Sequence, residues 1–233
     1  MDKMEWKSKN ELNKINEERN AKQLIEANIK NILAQLNEKH PIKAPLSEII
    51  IERLKKSISF DSKMVGFILE MMKIMSLNNC RVKLMHYTNE LKFPSDKAAA
   101  FVNLPLDNMP FFGTPEFNKL TIPIHFRQSI IYPHEGFIYT MAHELSHIVL
   151  HSTRNPLRHS EKATDLFVIL SGFGQVMKDG RIQYFRGVSE DGKSLNKHLG
   201  YLDDTEFHFA IKYADELRKK NIMSLDNLLR NDF

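Results

Sequence analysis

Apolar residues recur at helical spacing along the first third of the chain. Ile25, Ile29, Ile32, Leu33 and Leu36 form one stripe, and the span from about Glu5 to Glu38 holds no Gly or Pro. That pattern predicts a long helix whose apolar face occupies its second half. His40-Pro41 and Ala44-Pro45 end it, and Ser47 is placed to cap a second helix through Ile49, Ile50, Ile51 and Leu54. A third helix is predicted over Ser62 to Met75. Residues 1–78 therefore read as an all-helical module.

After Cys80 the period changes. Val82, Leu84 and His86 alternate with Lys83, Met85 and Tyr87, and Ala98–Leu104 and Leu120–Phe126 follow as strand candidates. In the last of these Leu120, Ile122, Ile124 and Phe126 point one way, and Thr121, Pro123 and His125 the other. Proline cannot donate to a ladder, so this strand is expected at a sheet edge, where Pro123 either blocks edge pairing or leaves room for a peptide. From Pro133 the chain turns helical again, near 135–151, 158–177, 203–219 and 224–231. The expected class is α+β, with a second domain over 79–233.

Composition narrows the setting. The 233 residues are 42% hydrophobic and 27% charged, enough for a proper core, and 33 Lys+Arg against 29 Asp+Glu leave a net charge of +4. So small an excess does not favour a nucleic-acid binder. Residues 43–77 could imitate a helix-turn-helix, but Lys43, Arg53, Lys55, Lys56 and Lys63 read better as a solvated face. The single cysteine, Cys80, excludes an intrachain disulfide and reads as a small buried hydrophobe. No apolar run suits a secretory signal or a membrane span, so a cytoplasmic location with no membrane partner is expected.

The chemistry concentrates in one window. Six of the ten histidines fall between His125 and His159, and among them stands His143-Glu144-Leu145-Ser146-His147 on a predicted helix. Residues four apart share a helical face, so both imidazoles can meet one ion. Glu144 sits about 100° round the helix from His143, where it misses the metal and can reach a water beside it. A catalytic zinc usually keeps three protein ligands. His151 lies on the same stripe but about 12 Å along the axis from His143, which suits pocket lining better than ligation. The next helix opens Glu161-Lys162-Ala163-Thr164-Asp165 and is apolar nearly all round thereafter. Two carboxylates on one face of such a helix must be paired, hydrated or metal-bound. Glu161 is the best third ligand, its alternative being an acid in a first turn capped by Ser160. Asp165, one turn on, can accept the second nitrogen's proton of a ligand histidine.

Together these residues resemble the zincin metallopeptidases, in particular the gluzincin pattern in which H-E-x-x-H precedes E-x-x-x-D on a second helix. The gap of thirteen residues between His147 and Glu161 is short, as in compact cytoplasmic bacterial members, and with His151 in an H-E-x-x-H-x-x-x-H context the chain is similar to the ImmA/IrrE-type bacterial peptidases. It departs from them in carrying Ala163 for an acidic residue and Asp165-Leu166-Phe167 for Asn-x-Phe. The likeness spans about residues 79–219. It implies a zincin-like domain, a small antiparallel or mixed sheet with an active-site helix and following helices. It also implies Zn²⁺ held by His143, His147 and Glu161, Glu144 as general base, and Asp165 orienting His143. The expected function is hydrolysis of peptide bonds in a cytoplasmic protein or peptide substrate, a regulator among the candidates. Tyr139, His198, Tyr201 and His208 are the candidate oxyanion donors. The competing expectation is a catalytically silent binding or regulatory protein of the same fold with a structural metal.

Overall fold

The computed structural model describes residues 9–36, 40, 42–58, 64–86, 99–188 and 194–231, with backbone alone at 9–12, 107, 182–188, 194–198 and 222–231. The first helix, α1, spans Lys9–Gln35. Ile25, Ile29 and Ile32 are its buried residues and most of the positions from Asn13 to Asn20 are exposed, so the stripe does lie in the second half. Helix α2 (Glu48–Ser57) buries Ile51 and Leu54, and α3 (Val65–Ile74) buries Phe67, Ile68, Met71 and Met72. Ser47 occupies the cap position of α2 in an extended conformation, yet its side chain makes no capping bond; its carbonyl accepts from Ile50 and Ile51 instead. The expected start of α3 at Ser62, and Lys63, lie outside the described residues.

A three-stranded sheet follows, in the order β1 (Arg81–His86), β3 (Thr121–Phe126), β2 (Ala100–Val102), with β1 parallel and β2 antiparallel to β3. The strand carrying Pro123 is thus central, and the expectation of an edge strand is corrected. The reason is the shortness of β2. Arg81 N–H donates to the Leu120 carbonyl at 2.9 Å, which sets an alternation in which Pro123 faces away from β1. On the other side β2 ends at Val102, opposite Ile124, and Asn103 N–H needs only the Pro123 carbonyl, at 3.0 Å. The missing proline donor falls where the ladder stops. Ile122, Ile124 and Phe126 are buried, as their alternation predicts.

After a short helix, α4 (Pro115–Asn118), and β3, helix α5 (His134–Ser152) runs through the centre of the molecule and is buried along almost its whole length. Phe137 at its start stacks on Phe67 of α3 and lies against Phe126 of β3, each with ring centroids 5.3 Å apart. Side chains from α1, α2 and α3 belong to the same contiguous apolar core as those of β3 and α5. Each such fully buried aliphatic or aromatic side chain contributes about 1.5–3 kcal/mol. Lys55 of α2 bridges Glu52 and Glu135, both at 2.8 Å, and so ties α2 to the first turn of α5; its ammonium is held well above the usual lysine value by those two carboxylates. Arg53 is likewise paired, with Glu70 of α3.

The single helix expected over 158–177 is interrupted. Helix α6 (Glu161–Val168) passes into a π-helical turn at Ile169–Phe173, where Gly172 takes φ +95°, before α7 (Gly174–Gly180) continues. A π turn leaves carbonyls without intrahelical donors. Residues 42–46 supply replacements: Lys43 N–H donates to Leu170 at 2.9 Å and Leu46 N–H to Gly172 at 3.0 Å. So close an approach requires glycine, since a Cβ on Gly172 would collide with the Ala44 carbonyl oxygen.

A hairpin of β4 (Ile182–Val188) and β5 (Ser194–His198) comes next, and sequence periodicity missed it although Asp191-Gly192 is a hairpin-turn signal. The final helix, α8 (Asp204–Asn231), is continuous where two were expected, because Lys220 to Met223 contain nothing that breaks a helix. Among the described residues no helix is long and apolar enough to cross a membrane. The architecture is mixed α+β. Gly172→Ala should lower unfolding free energy by about 2–4 kcal/mol, from left-handed backbone strain and the collision with Ala44; denaturant melts would show it as a reduced midpoint.

Candidate metal centre

Helix α5 is broadly apolar, and its burial forces the polar residues 143, 144 and 147 toward the start of α6. The ligand atoms of His143, His147 and Glu161 all lie within 4.8 Å of one another. Glu161 Oε2 stands 3.0 Å from His143 Nε2 and 3.4 Å from His147 Nε2. Tetrahedral ligands about 2.0–2.1 Å from an ion are separated by about 3.3 Å, so these spacings suit a metal. The donor set, two imidazole nitrogens and one carboxylate oxygen, is also a metal's.

The far nitrogens are engaged. His143 Nδ1 donates to Asp165 Oδ1 at 2.9 Å, and Thr164 Oγ1 lies 3.4 Å from His147 Nδ1. Those partners direct both Nε2 atoms to Glu161. Asp165 is fully buried, and burial alone would raise its carboxyl; the His143 imidazole, the Tyr201 N–H and the Tyr139 hydroxyl outweigh that and hold it below the ordinary aspartate value. Tyr139 donates to Oδ1 and the Tyr201 backbone to Oδ2, each at 2.7 Å. Desolvation likewise disfavours charge on His143, but Asp165 and Glu161 prevail and raise its pKa to about 10. Glu161 is held well below the ordinary glutamate value by its bonds to His143 and His147.

Glu144 is buried beside these groups. Desolvation raises its pKa, opposed by His143 and His147 and by a hydrogen bond from the Val102 backbone N–H of β2. The short strand thereby places the carboxyl. Ser160 caps α6 by accepting from Ala163 N–H at 3.3 Å, which fixes the turn that carries Glu161.

The loop before α8 completes the site, and sequence reasoning missed it as a unit. Asp203 and Glu206 form a reciprocal capping box, with Glu206 N–H donating to Asp203 Oδ1 at 2.8 Å and Asp203 N–H to Glu206 Oε2 at 3.0 Å. The D-x-x-E spacing was its visible signal. Gly200, at φ +98°, lets the loop pass so near Asp165 that a Cβ there would lie 2.5 Å from the Tyr139 hydroxyl. Tyr201 stacks on His143 with ring centroids 5.6 Å apart. Of the four oxyanion candidates, Tyr139 is committed to Asp165, His208 bonds the Asp204 carbonyl, the side chain of His198 lies outside the described residues, and Tyr201 lies against the triad.

The histidine-rich window is not one cluster. Rings of His143, His147, His151 and His159 succeed one another at 4.9, 6.4 and 5.0 Å, whereas His125 stacks on Phe101 and His134 lies tilted against Tyr132. His151 takes no part in the triad. Comparison with protein-family models, with curated proteins and with solved structures finds no match to the chain.

Two predictions follow from this geometry. Asp165→Asn should weaken metal binding 10–100-fold, measured by competition with a chromogenic chelator, because His143 loses the charge that orients it. Burial, with His159, His147 and Arg158 nearby, lowers His151 from 6.5 to about 4. The unfolded chain therefore takes up a proton between those values that the folded chain refuses. This contribution to stability is complete above pH 6.5 and lost as pH falls toward 4; an imidazole NMR titration should find His151 neutral at pH 5.5.

Proposed function

We propose that the chain is a zinc-dependent metallopeptidase of the zincin type, cutting peptide bonds in a cytoplasmic protein or peptide. The observation that carries this reading is the convergence of His143, His147 and Glu161 beside a buried Glu144. Two imidazoles and a carboxylate would hold zinc and leave a position open to reactants. When bound, zinc would supply Lewis acidity, easing deprotonation of water and polarising a carbonyl.

The chain's own residues would do the rest. Glu144, its basicity raised by burial, takes the proton from the attacking water and later passes it to the departing amine. The Val102 N–H holds that carboxyl in one orientation through the exchange. Asp165 keeps the Nδ1 proton on His143, so that Nε2 is the nitrogen that would give up its proton and present a lone pair to an ion. Tyr201, stacked on His143 and, among the described residues, not committed to another partner as Tyr139 and His208 are, would donate to a developing oxyanion.

Glu144→Gln should retain about one zinc per chain by mass spectrometry and lose hydrolysis of a denatured protein pool by at least about a thousandfold. Full activity in that variant would refute the mechanism. Zinc retained without hydrolysis by the wild type, and thermal stability lost on chelation, would point to the silent binding protein with a structural metal.

A further inference from the structure

Beyond His151, where α5 ends, lies a cavity of about 650 Å³ whose walls include Leu106, Phe111, Glu116, His151, Arg154 and Arg158. His151, on its wall, has its ring centroid 6.4 Å from that of His147 in the metal triad. The cavity's two guanidiniums are unusual in their company. Arg154 lies over the Phe111 ring at 4.3 Å, and Arg158 donates to the Asn155 carbonyl at 3.3 Å. Among the described residues neither forms an ion pair, although Glu116 is on the same wall. Two arginines against one carboxylate leave the cavity net positive.

The backbone under Arg154 gives a second, independent sign. Helix α5 closes in a Schellman motif: Asn155 N–H donates to Leu150 at 2.9 Å and Arg154 N–H to His151 at 3.0 Å. The residue between helix and loop is Arg154, at φ +51°. Glycine ordinarily fills this left-handed position, and a side chain there costs about 1 kcal/mol or more. Helix termination alone gives no reason for arginine. The side chain it adds reaches over the cavity.

We infer that this cavity is a substrate subsite that takes a carboxylate through Arg154 and Arg158. The inference rests on the metallopeptidase reading and adds to it the class of substrate, a peptide bearing an acidic group on one side of the scissile bond. Arg154 lies seven residues beyond His147, about 10 Å along the helix. An extended peptide advances about 3.3 Å per residue, so the carboxylate belongs about three residues from the bond cut. Arginine forks favour carboxylates by paired, charge-assisted hydrogen bonds, and the Phe111 face holds one guanidinium ready. An acidic side chain and the C-terminal carboxylate of a short peptide share this chemistry.

Zinc-loaded Glu144→Gln protein separates binding from cleavage. Coumarin-labelled hexapeptides, identical except for one Glu, Gln or Lys and made with free or amidated C-termini, would be titrated against it by fluorescence anisotropy. The Glu peptides should bind about tenfold tighter than Gln, and Lys peptides more weakly still. Persistence of the preference in amidated peptides assigns the subsite to a side chain; its restriction to free C-termini assigns it to the chain end. Adding Arg154→Gly and Arg158→Gln should abolish the preference. Arg154→Gly alone should reduce it while leaving Tm no lower, because glycine relieves the left-handed strain. Equal affinity for Glu and Gln peptides, or a lowered Tm with the preference intact, would overturn the inference. Cleavage of a protein pool by the wild type, with sites mapped by mass spectrometry, tests the underlying reading apart. Cutting without acidic enrichment sinks the subsite and spares the peptidase. Glu selectivity in the anisotropy titration without any cutting does the reverse.

Discussion

A carboxylate with no access to water must be satisfied entirely by protein, and in this molecule that carboxylate is Asp165. Its helix is otherwise apolar, so an unpaired charge there would cost several kcal/mol. Two separated parts of the chain meet the demand: Tyr139 and His143 from α5, and the backbone at Tyr201 from the loop before α8. The same hydrogen bonds that make Asp165 tolerable fix one face of the metal triad. Stability and site geometry are here a single set of contacts, and no member can be altered without disturbing both.

The order of dependence runs outward from there. The capping box at Asp203 and Glu206 sets where α8 begins, and Gly200 lets the preceding loop descend onto Asp165. On the opposite side, the three residues of β2 bring the Val102 N–H to Glu144. A helix, a loop and a short strand therefore meet over the same few ångströms. Helices α5 and α6 supply the three candidate ligands and Glu144, which suits a site that must hold an ion and a base in fixed relation.

Much of this was legible from residue order, because spacing and chemistry there are local. The four-residue interval of His143 and His147 and the four-residue interval of Glu161 and Asp165 are properties of single helices, and the structure brings the first three together. The pairing of Asp165 with His143 rather than His147 was expected from the resemblance alone, because it depends on how two helices cross, which no local pattern records. Thr164 beside His147 went unnoticed for the same reason. Pro123 misled because the edge rule assumes neighbouring strands of equal length; a three-residue neighbour leaves room for proline in a central strand. The break at Gly172 was hidden because Gly172 and Gly174 alone do not say whether a helical pattern tolerates or breaks at them, and the cause lies more than 120 residues upstream.

That upstream segment limits how the chain can be shortened. Residues 42–46 satisfy the Leu170 and Gly172 carbonyls, while Arg218 of α8 clasps the segment from outside, donating to Lys43 at 2.6 Å and to Ile169 at 2.7 Å. The strap lies between two clasps whose positions are set by other helices, so its length has no slack. Fragments beginning at α2 would bare buried acceptors one turn from the helix that carries Glu161. An insertion of a single residue between Lys43 and Leu46 would put the strap's donors out of step with those acceptors. Homologous chains that vary freely in the loops should therefore keep this short interval constant in length.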